Sequence, residues 1–169
     1  MEHRPVRSRR AHKRVLIAMI TGVFVATLVA VVPAITGHAD NGRQMNRHIL
    51  VVDDDEHMRS MLQVVLESEG YVVDTASDGL SALDKIIHQQ AMPAVILLDL
   101  NLPRMHGLQL IEALRQHEEV RLDSIIVLSG DSDALQQAST LGIHYCLAKP
   151  FDLETLLELV FNCRESGRG

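Results

Sequence analysis

Two apolar runs that end abruptly in carboxylates hold the residues best suited to chemistry. The first is Ile49-Leu50-Val51-Val52, followed by Asp53-Asp54-Asp55-Glu56; the second is Ala94-Val95-Ile96-Leu97-Leu98, followed by Asp99. Both have the length and β-branched content of buried strands. Were the two to lie side by side and parallel, their acids would collect at one edge of a sheet. Carboxylates about 4 Å apart repel by about 4 kcal/mol per pair at an effective dielectric near 20. A cation or a shared proton must relieve such crowding, and a hard, oxygen-seeking divalent ion answers it best. Carboxylates with such an ion point to chemistry or signalling with phosphate.

The elements that must position these acids follow from periodicity. Met58, Met61, Leu62 and Val65 repeat at helical spacing, and Gly70 supplies a stop. Asp55 and Glu56 suit the start of that helix. Tyr71-Val72-Val73 reads as a strand. Asp78 caps a helix with Leu80, Leu83 and Ile87 on one face. After the 94–98 strand, Gly107 opens a helix with Leu108, Ile111 and Leu114 inward. Residues 124–128 form another strand, ending in Ser129-Gly130, and a short helix is expected over residues 132–141. Residues 145–148 form the last strand, and Asp152 caps a final helix with Leu153, Leu156, Leu157 and Val160 on one stripe. Five strands alternating with five helices predict an α/β fold, a doubly wound five-stranded parallel sheet covered on both faces. Ligands of such folds bind beyond the carboxyl ends of the strands. Asp53, Asp54, Asp99, Ser129 and Lys149 all fall there.

Composition bounds the remaining choices. The chain has 169 residues, of which 47% are hydrophobic and 3% aromatic, so the core must be aliphatic. The net charge of −6 is unevenly divided: residues 1–47 carry a net +6 and the rest −12. A domain that acidic is a poor nucleic-acid binder. Cys146 and Cys163 form neither a close metal-type pair nor a disulfide framework, which fits reduced thiols in a cytosolic compartment. The nine histidines are scattered and read as surface or satisfied core residues.

The division expected is residues 1–47 as a basic amino terminus with an apolar segment, 48–163 as the domain, and 164–169 as a tail. Residues 15–37 carry no charge and follow six basic residues, a length that could span a bilayer. Three readings stand: a membrane anchor, a secretory signal cleaved after Gly37-His38-Ala39, or an extension preceding a true start at Met45. The two targeting readings would place the acidic domain outside the cytoplasm; the third leaves it inside. A helix packed on the domain fits least, because the segment has no polar face.

Four strand-end motifs, in order, are Val51-Val52-Asp53-Asp54, Leu98-Asp99-Leu100-Asn101-Leu102-Pro103-Arg104-Met105-His106-Gly107, Val127-Leu128-Ser129-Gly130 and Lys149-Pro150-Phe151. Together they make residues 48–163 resemble the receiver domain of two-component response regulators, a flavodoxin-like fold. The resemblance implies that Asp99 is the phosphoacceptor. It implies Mg²⁺ ligation by Asp54, Asp99 and the main-chain carbonyl of Asn101, with Asp53 reaching the ion through water. Ser129 would donate its hydroxyl to the phosphoryl group, and Gly130 would leave room beside it. Lys149 would pair with Asp99 and then with the phosphoryl group, aimed by a cis Lys149-Pro150 peptide. The implied partners are a histidine kinase or phosphotransfer protein and a downstream protein that reads a changed surface. A stand-alone cytoplasmic receiver without an output domain is expected, not a classical enzyme. Membrane association through residues 15–37 stays open.

The sequence departs from that family at Cys146, where an aromatic is common; Tyr145 stands one place earlier. His106 occupies a position where Asp or Asn is common, and Asn101 and Asp131 sit where residues tune hydrolysis of the acyl phosphate. Two rival readings remain. A haloacid-dehalogenase-like phosphatase would use Asp53-x-Asp55 and leave Asp99 unexplained. A phosphorylation-independent adaptor would keep only the fold.

Overall fold

The computed structural model describes residues 47–88 and 92–166. Five strands are present: β1 (His48–Val52), β2 (Val72–Ala76), β3 (Val95–Asp99), β4 (Ile125–Ser129) and β5 (Tyr145–Ala148). They alternate with α1 (Glu56–Ser68), α2 (Gly79–His88), α3 (Gly107–Leu114), α4 (Ser132–Thr140) and α5 (Leu153–Ser166), and a 3-10 turn, Leu122–Ser124, precedes β4. All neighbouring strands are parallel, in the order β2-β1-β3-β4-β5. The chain winds one way from β1 to β2 and the other way from β3 onward, so the switch point lies between β1 and β3. This is the doubly wound α/β fold expected from the strand and helix periods.

Strand alternation divides the aliphatic core into two layers. Leu50, Val52, Ile96, Leu98, Ile125 and Val127 face α2, α3 and α4, which contribute Ala82, Ile86, Leu110, Ile111, Leu114, Ala134 and Ala138. Ile49, Val51, Val95, Leu97, Ile126 and Leu128 face α1 and α5, which contribute Leu62, Leu66, Leu156, Val160 and Cys163. Every residue of β3 and β4 is buried, as expected of central strands with helices on both sides. Burial of each such aliphatic side chain contributes about 1.5–3 kcal/mol.

The helix starts obey local chemistry. Asp55 caps α1 by accepting from the amides of His57 (2.8 Å) and Met58 (3.3 Å). Those amides also hold its carboxyl below the usual range. Asp78 caps α2 through the Ser81 amide (2.9 Å) and Asp152 caps α5 through Thr155 (2.8 Å). Gly70 closes α1 in the left-handed region at φ +85°, where a side chain would be strained.

Two helices turn a different face to the sheet from the one their periodicity suggested. On α1 the buried residues are Leu62 and Leu66, whereas Met61 is 38% exposed. On α2 they are Ala82 and Ile86, whereas Leu80 and Ile87 point outward at 43% and 39%. Leu80, Leu83 and Ile87 form an apolar stripe of correct period, but tertiary contact fixes the rotation of the helix. Gly79 lies against Met105, so close that a Cβ would come 2.8 Å from the Met105 Cβ, and it is buried along with Ala82 and Ile86. On α3, Leu110 joins Ile111 and Leu114 in the core while Leu108 is only partly buried.

Residues 1–46 lie outside those described, so the anchor, signal and start-site readings of residues 15–37 fall there. Among the described residues no helix is long and apolar enough to cross a membrane.

Candidate functional site

The register of the sheet brings the acids together. Val52 pairs with Leu98, so the next residues along, Asp53 and Asp99, meet at the β1–β3 switch point. Ser129 ends β4 opposite Ala148 of β5, and the Lys149 amide donates to the Ser129 carbonyl at 2.8 Å. Sheet pairing thus gathers four chain segments within one pocket.

Asp53 is buried to 1% exposure. Its Oδ1 accepts from the Asp55 amide (2.9 Å) and its Oδ2 from Lys149 Nζ (2.8 Å). Asp99 is 6% exposed; its Oδ2 accepts from Lys149 Nζ (2.6 Å) and its Oδ1 from the Asn101 amide (3.0 Å). Asp54 is exposed, yet it can offer a carboxylate oxygen within 4.8 Å of ligand oxygens on Asp53 and Asp99. Ser129 is buried, and its Oγ accepts from the Asp131 amide at 3.1 Å. The Lys149–Pro150 peptide is cis.

Electrostatics follow from this packing. Burial pushes the Asp53 carboxyl above its ordinary value, against the lowering pull of Lys149 and the Asp55 amide. Burial also works to discharge Lys149, but the carboxylates of Asp53 and Asp99 outweigh it and raise its pKa. Lys149 is therefore a firmly held ammonium. One ammonium against three crowded carboxylates leaves a negative pocket. The donor set is all hard oxygen, which suits a divalent ion of the Mg²⁺ type.

Other expectations can now be placed. Asp55 caps α1 through its Oδ1, and the carboxylates gathered with Asp53 are those of Asp54 and Asp99, so nothing here favours the dehalogenase-like reading of Asp53-x-Asp55. Asp131 caps α4 through the amides of Asp133 and Ala134, and His106 caps α3. Gly107 is required by close approach: a Cβ there would lie 2.6 Å from Leu100 Cα and 2.7 Å from the Asp99 carbonyl. Gly130, by contrast, has nothing within 4 Å of its Cβ position. Cys146 lies on the α4 side of β5, its Sγ 3.9 Å from the Leu135 carbonyl. Tyr145 faces the opposite layer and meets Ser166 of α5 at 2.9 Å, so it does not replace an aromatic at position 146.

Sequence reasoning missed two arginine contacts, one of them to a residue of the pocket. Arg59 of α1 reaches back to donate to the Asp53 carbonyl at 2.7 Å. Arg104, in the loop after Asp99, pairs with the carboxylate of Asp78. Arg59 carried no signal beyond being the first basic residue after the acidic run. Arg104 lies inside the Leu98–Gly107 motif, where Asp99 and Asn101 carry the expected roles and Arg104 itself carries none.

A parallel, doubly wound sheet whose switch point gathers three carboxylates, a lysine and a hydroxyl defines a flavodoxin-like α/β protein with a polar, acid-rich strand-edge site. The response regulator receiver domain family matches residues 49–161, and the chain belongs to it. It is 34% identical over 116 residues to sporulation initiation phosphotransferase F of Bacillus subtilis (strain 168), covering 69% of this chain and 92% of that protein. It is 35% identical over 111 residues to the response regulator ArlR of Staphylococcus aureus (strain Mu50 / ATCC 700699), covering 64% of this chain and 48% of ArlR. The chain thus matches about half the length of that regulator. A response regulator of Chloroflexus aurantiacus J-10-fl superposes with a TM-score of 0.65 at 33% identity, covering 70% of this chain and 98% of that one. The chemotaxis response regulator CheY4 of Vibrio cholerae gives 0.62 at 32% identity, covering 69% and 97%. The chain contains a receiver domain of two-component response regulators.

Proposed function

We propose that this receiver accepts a phosphoryl group on Asp99 from a histidine kinase or phosphotransfer protein and signals through an altered surface. The observation that carries the reading is Lys149 Nζ held between Asp99 (2.6 Å) and Asp53 (2.8 Å) at the β1–β3 switch point. Asp99 is the nucleophile. As its oxygen bonds to phosphorus, the P–N bond of a phosphohistidine breaks and the imidazole nitrogen keeps the electron pair. Lys149 holds the Asp99 oxygen before transfer and pairs with the phosphoryl oxygens afterwards. Ser129 donates its hydroxyl to a phosphoryl oxygen, and the open space beside Gly130 admits the group. Asp53, Asp54, Asp99 and the main-chain carbonyl of Asn101 would hold Mg²⁺, which when bound neutralises charge on the phosphoryl group in transfer.

In this reading Ser129 moves toward the phosphoryl group and shifts α4 and β5, the surface a partner reads. Cys146 leaves the aromatic half of such a switch unfilled. Asn101 and Asp131 flank the site and set the lifetime of the acyl phosphate.

Incubation with Mg²⁺ and acetyl phosphate, followed by peptide mass spectrometry, tests the reading. Modification at Asp99 that disappears with chelator and in Asp99→Asn supports it. Modification at Asp53, or none at any residue, refutes it.

A further inference from the structure

We propose that Arg104 and Asp78 are a positioning pair for the divalent-cation site, acting through the loop that joins Asp99 to α3. The inference rests on the reading of Asp99, Asp54 and the Asn101 carbonyl as cation ligands. That loop is tightly constrained. Asn101 donates to Asp99 Oδ1, Leu102 donates to the Leu100 carbonyl (3.1 Å), Met105 to the Pro103 carbonyl (2.7 Å), and Gly107 back to Leu100 (2.9 Å). In its middle Arg104 adopts φ +64°, the left-handed region that a residue with a Cβ rarely occupies unless its surroundings hold it.

What holds it comes from the β2–α2 junction, 26 residues earlier. Asp78 is 4% exposed and Arg104 pairs directly with its Oδ2. Arg104 Nη2 also donates to Ser81 Oγ (2.7 Å), and Ser81 Oγ donates to Asp78 Oδ2 (2.9 Å). The other Asp78 oxygen caps α2 through the Ser81 amide. Both oxygens of this buried carboxylate are thus used, and neither is part of the acid pocket. Gly79, next to Asp78, lets Met105 pack against the same junction. Arg104 therefore ties the loop down three residues beyond Asn101 and five beyond Asp99. Loosening the tie should let the Asn101 carbonyl wander from its place beside the carboxylates while leaving Asp99, Lys149 and Ser129 on their strand ends.

Two variants separate this role from simple bracing. Arg104→Gly removes the guanidinium while keeping a backbone free to adopt φ +64°. Asp78→Asn keeps the oxygen that caps α2 but removes the charge. Calorimetric titration with Mg²⁺ alone should show about tenfold weaker binding in each. The double variant should be no weaker than the single ones, because the two residues act as a unit. With acetyl phosphate, the Mg²⁺ concentration for half-maximal phosphorylation should rise by the same factor, while the rate at saturating Mg²⁺ stays within about twofold, and Arg104→Lys should recover part of the loss. Variants that melt earlier but bind Mg²⁺ as the parent does would overturn the proposal and leave the pair merely structural. A parent protein that binds no Mg²⁺ would overturn the cation reading beneath it, which is a separate result.

Discussion

Lys149 Nζ lies 2.6 Å from Asp99 Oδ2, although 50 residues separate them in the chain. The same ammonium holds Asp53 at 2.8 Å. Lys149→Met would leave two buried carboxylates without their counter-charge. Loss of a charged hydrogen-bond partner costs about 1–3 kcal/mol, and urea denaturation at neutral pH should show it. Lowering the pH should narrow the deficit, because protonating Asp53 removes the repulsion.

Divalent ion should stabilise the parent protein. A ligand at 100 times its Kd adds about 2.7 kcal/mol to a folded state that alone binds it. Melting in excess Mg²⁺ should therefore exceed melting in chelator by several degrees. Asp54→Ala should erase most of that difference with little effect on melting in chelator, because Asp54 is exposed.

Asp78 should govern part of the acid stability. Burial works to raise its pKa, but Arg104 and the Ser81 amide and hydroxyl outweigh burial and hold it at about 2, below the ordinary 3.8. A depressed carboxylate stabilises the fold above its unfolded pKa and loses that contribution as pH falls through the folded value. The window here runs from about pH 4 down to about 2. The contribution is about 1 kcal/mol, discounted because the Arg104 side chain is 55% exposed to screening water. Asp78→Asn should be less stable than the parent at pH 6, and the gap should close toward pH 2; a gap of constant size would contradict the assignment.

Gly107 should be far more sensitive to alanine than Gly130. At Gly107 the new Cβ would meet the backbone of Leu100 and Asp99, which cannot yield without moving Asp99 itself. Overpacking of that kind costs about 1–3 kcal/mol. At Gly130 nothing lies within 4 Å, so Gly130→Ala should change stability by no more than about 0.5 kcal/mol. Paired urea titrations would distinguish the two.

The rotation of α2 can be read by a neighbouring pair of substitutions. Ile86 is fully buried and Ile87 is 39% exposed. Ile86→Ala should cost about 2–5 kcal/mol, and Ile87→Ala under about 1 kcal/mol. A larger loss at Ile87 than at Ile86 would mean that the helix sits as its apolar stripe alone suggested.

The sequence by itself determined which elements form and which residues end them. Apolar runs of strand length, helical spacing between them and capping residues such as Asp55 and Asp152 are local signals, set by the chain's own period and by hydrogen bonds a few residues long. They also placed Asp53, Asp54, Asp99, Ser129 and Lys149 on strand ends, because in a parallel sheet every strand delivers its last residue to the same edge. Only tertiary structure decided the register that sets Asp53 beside Asp99, the face that α1 and α2 turn inward, which layer Tyr145 and which layer Cys146 faces, and the grip of Asp78 on Arg104. Each depends on partners in other elements of the fold. An apolar stripe is satisfied by more than one rotation, and a surface arginine by many carboxylates, until packing selects one.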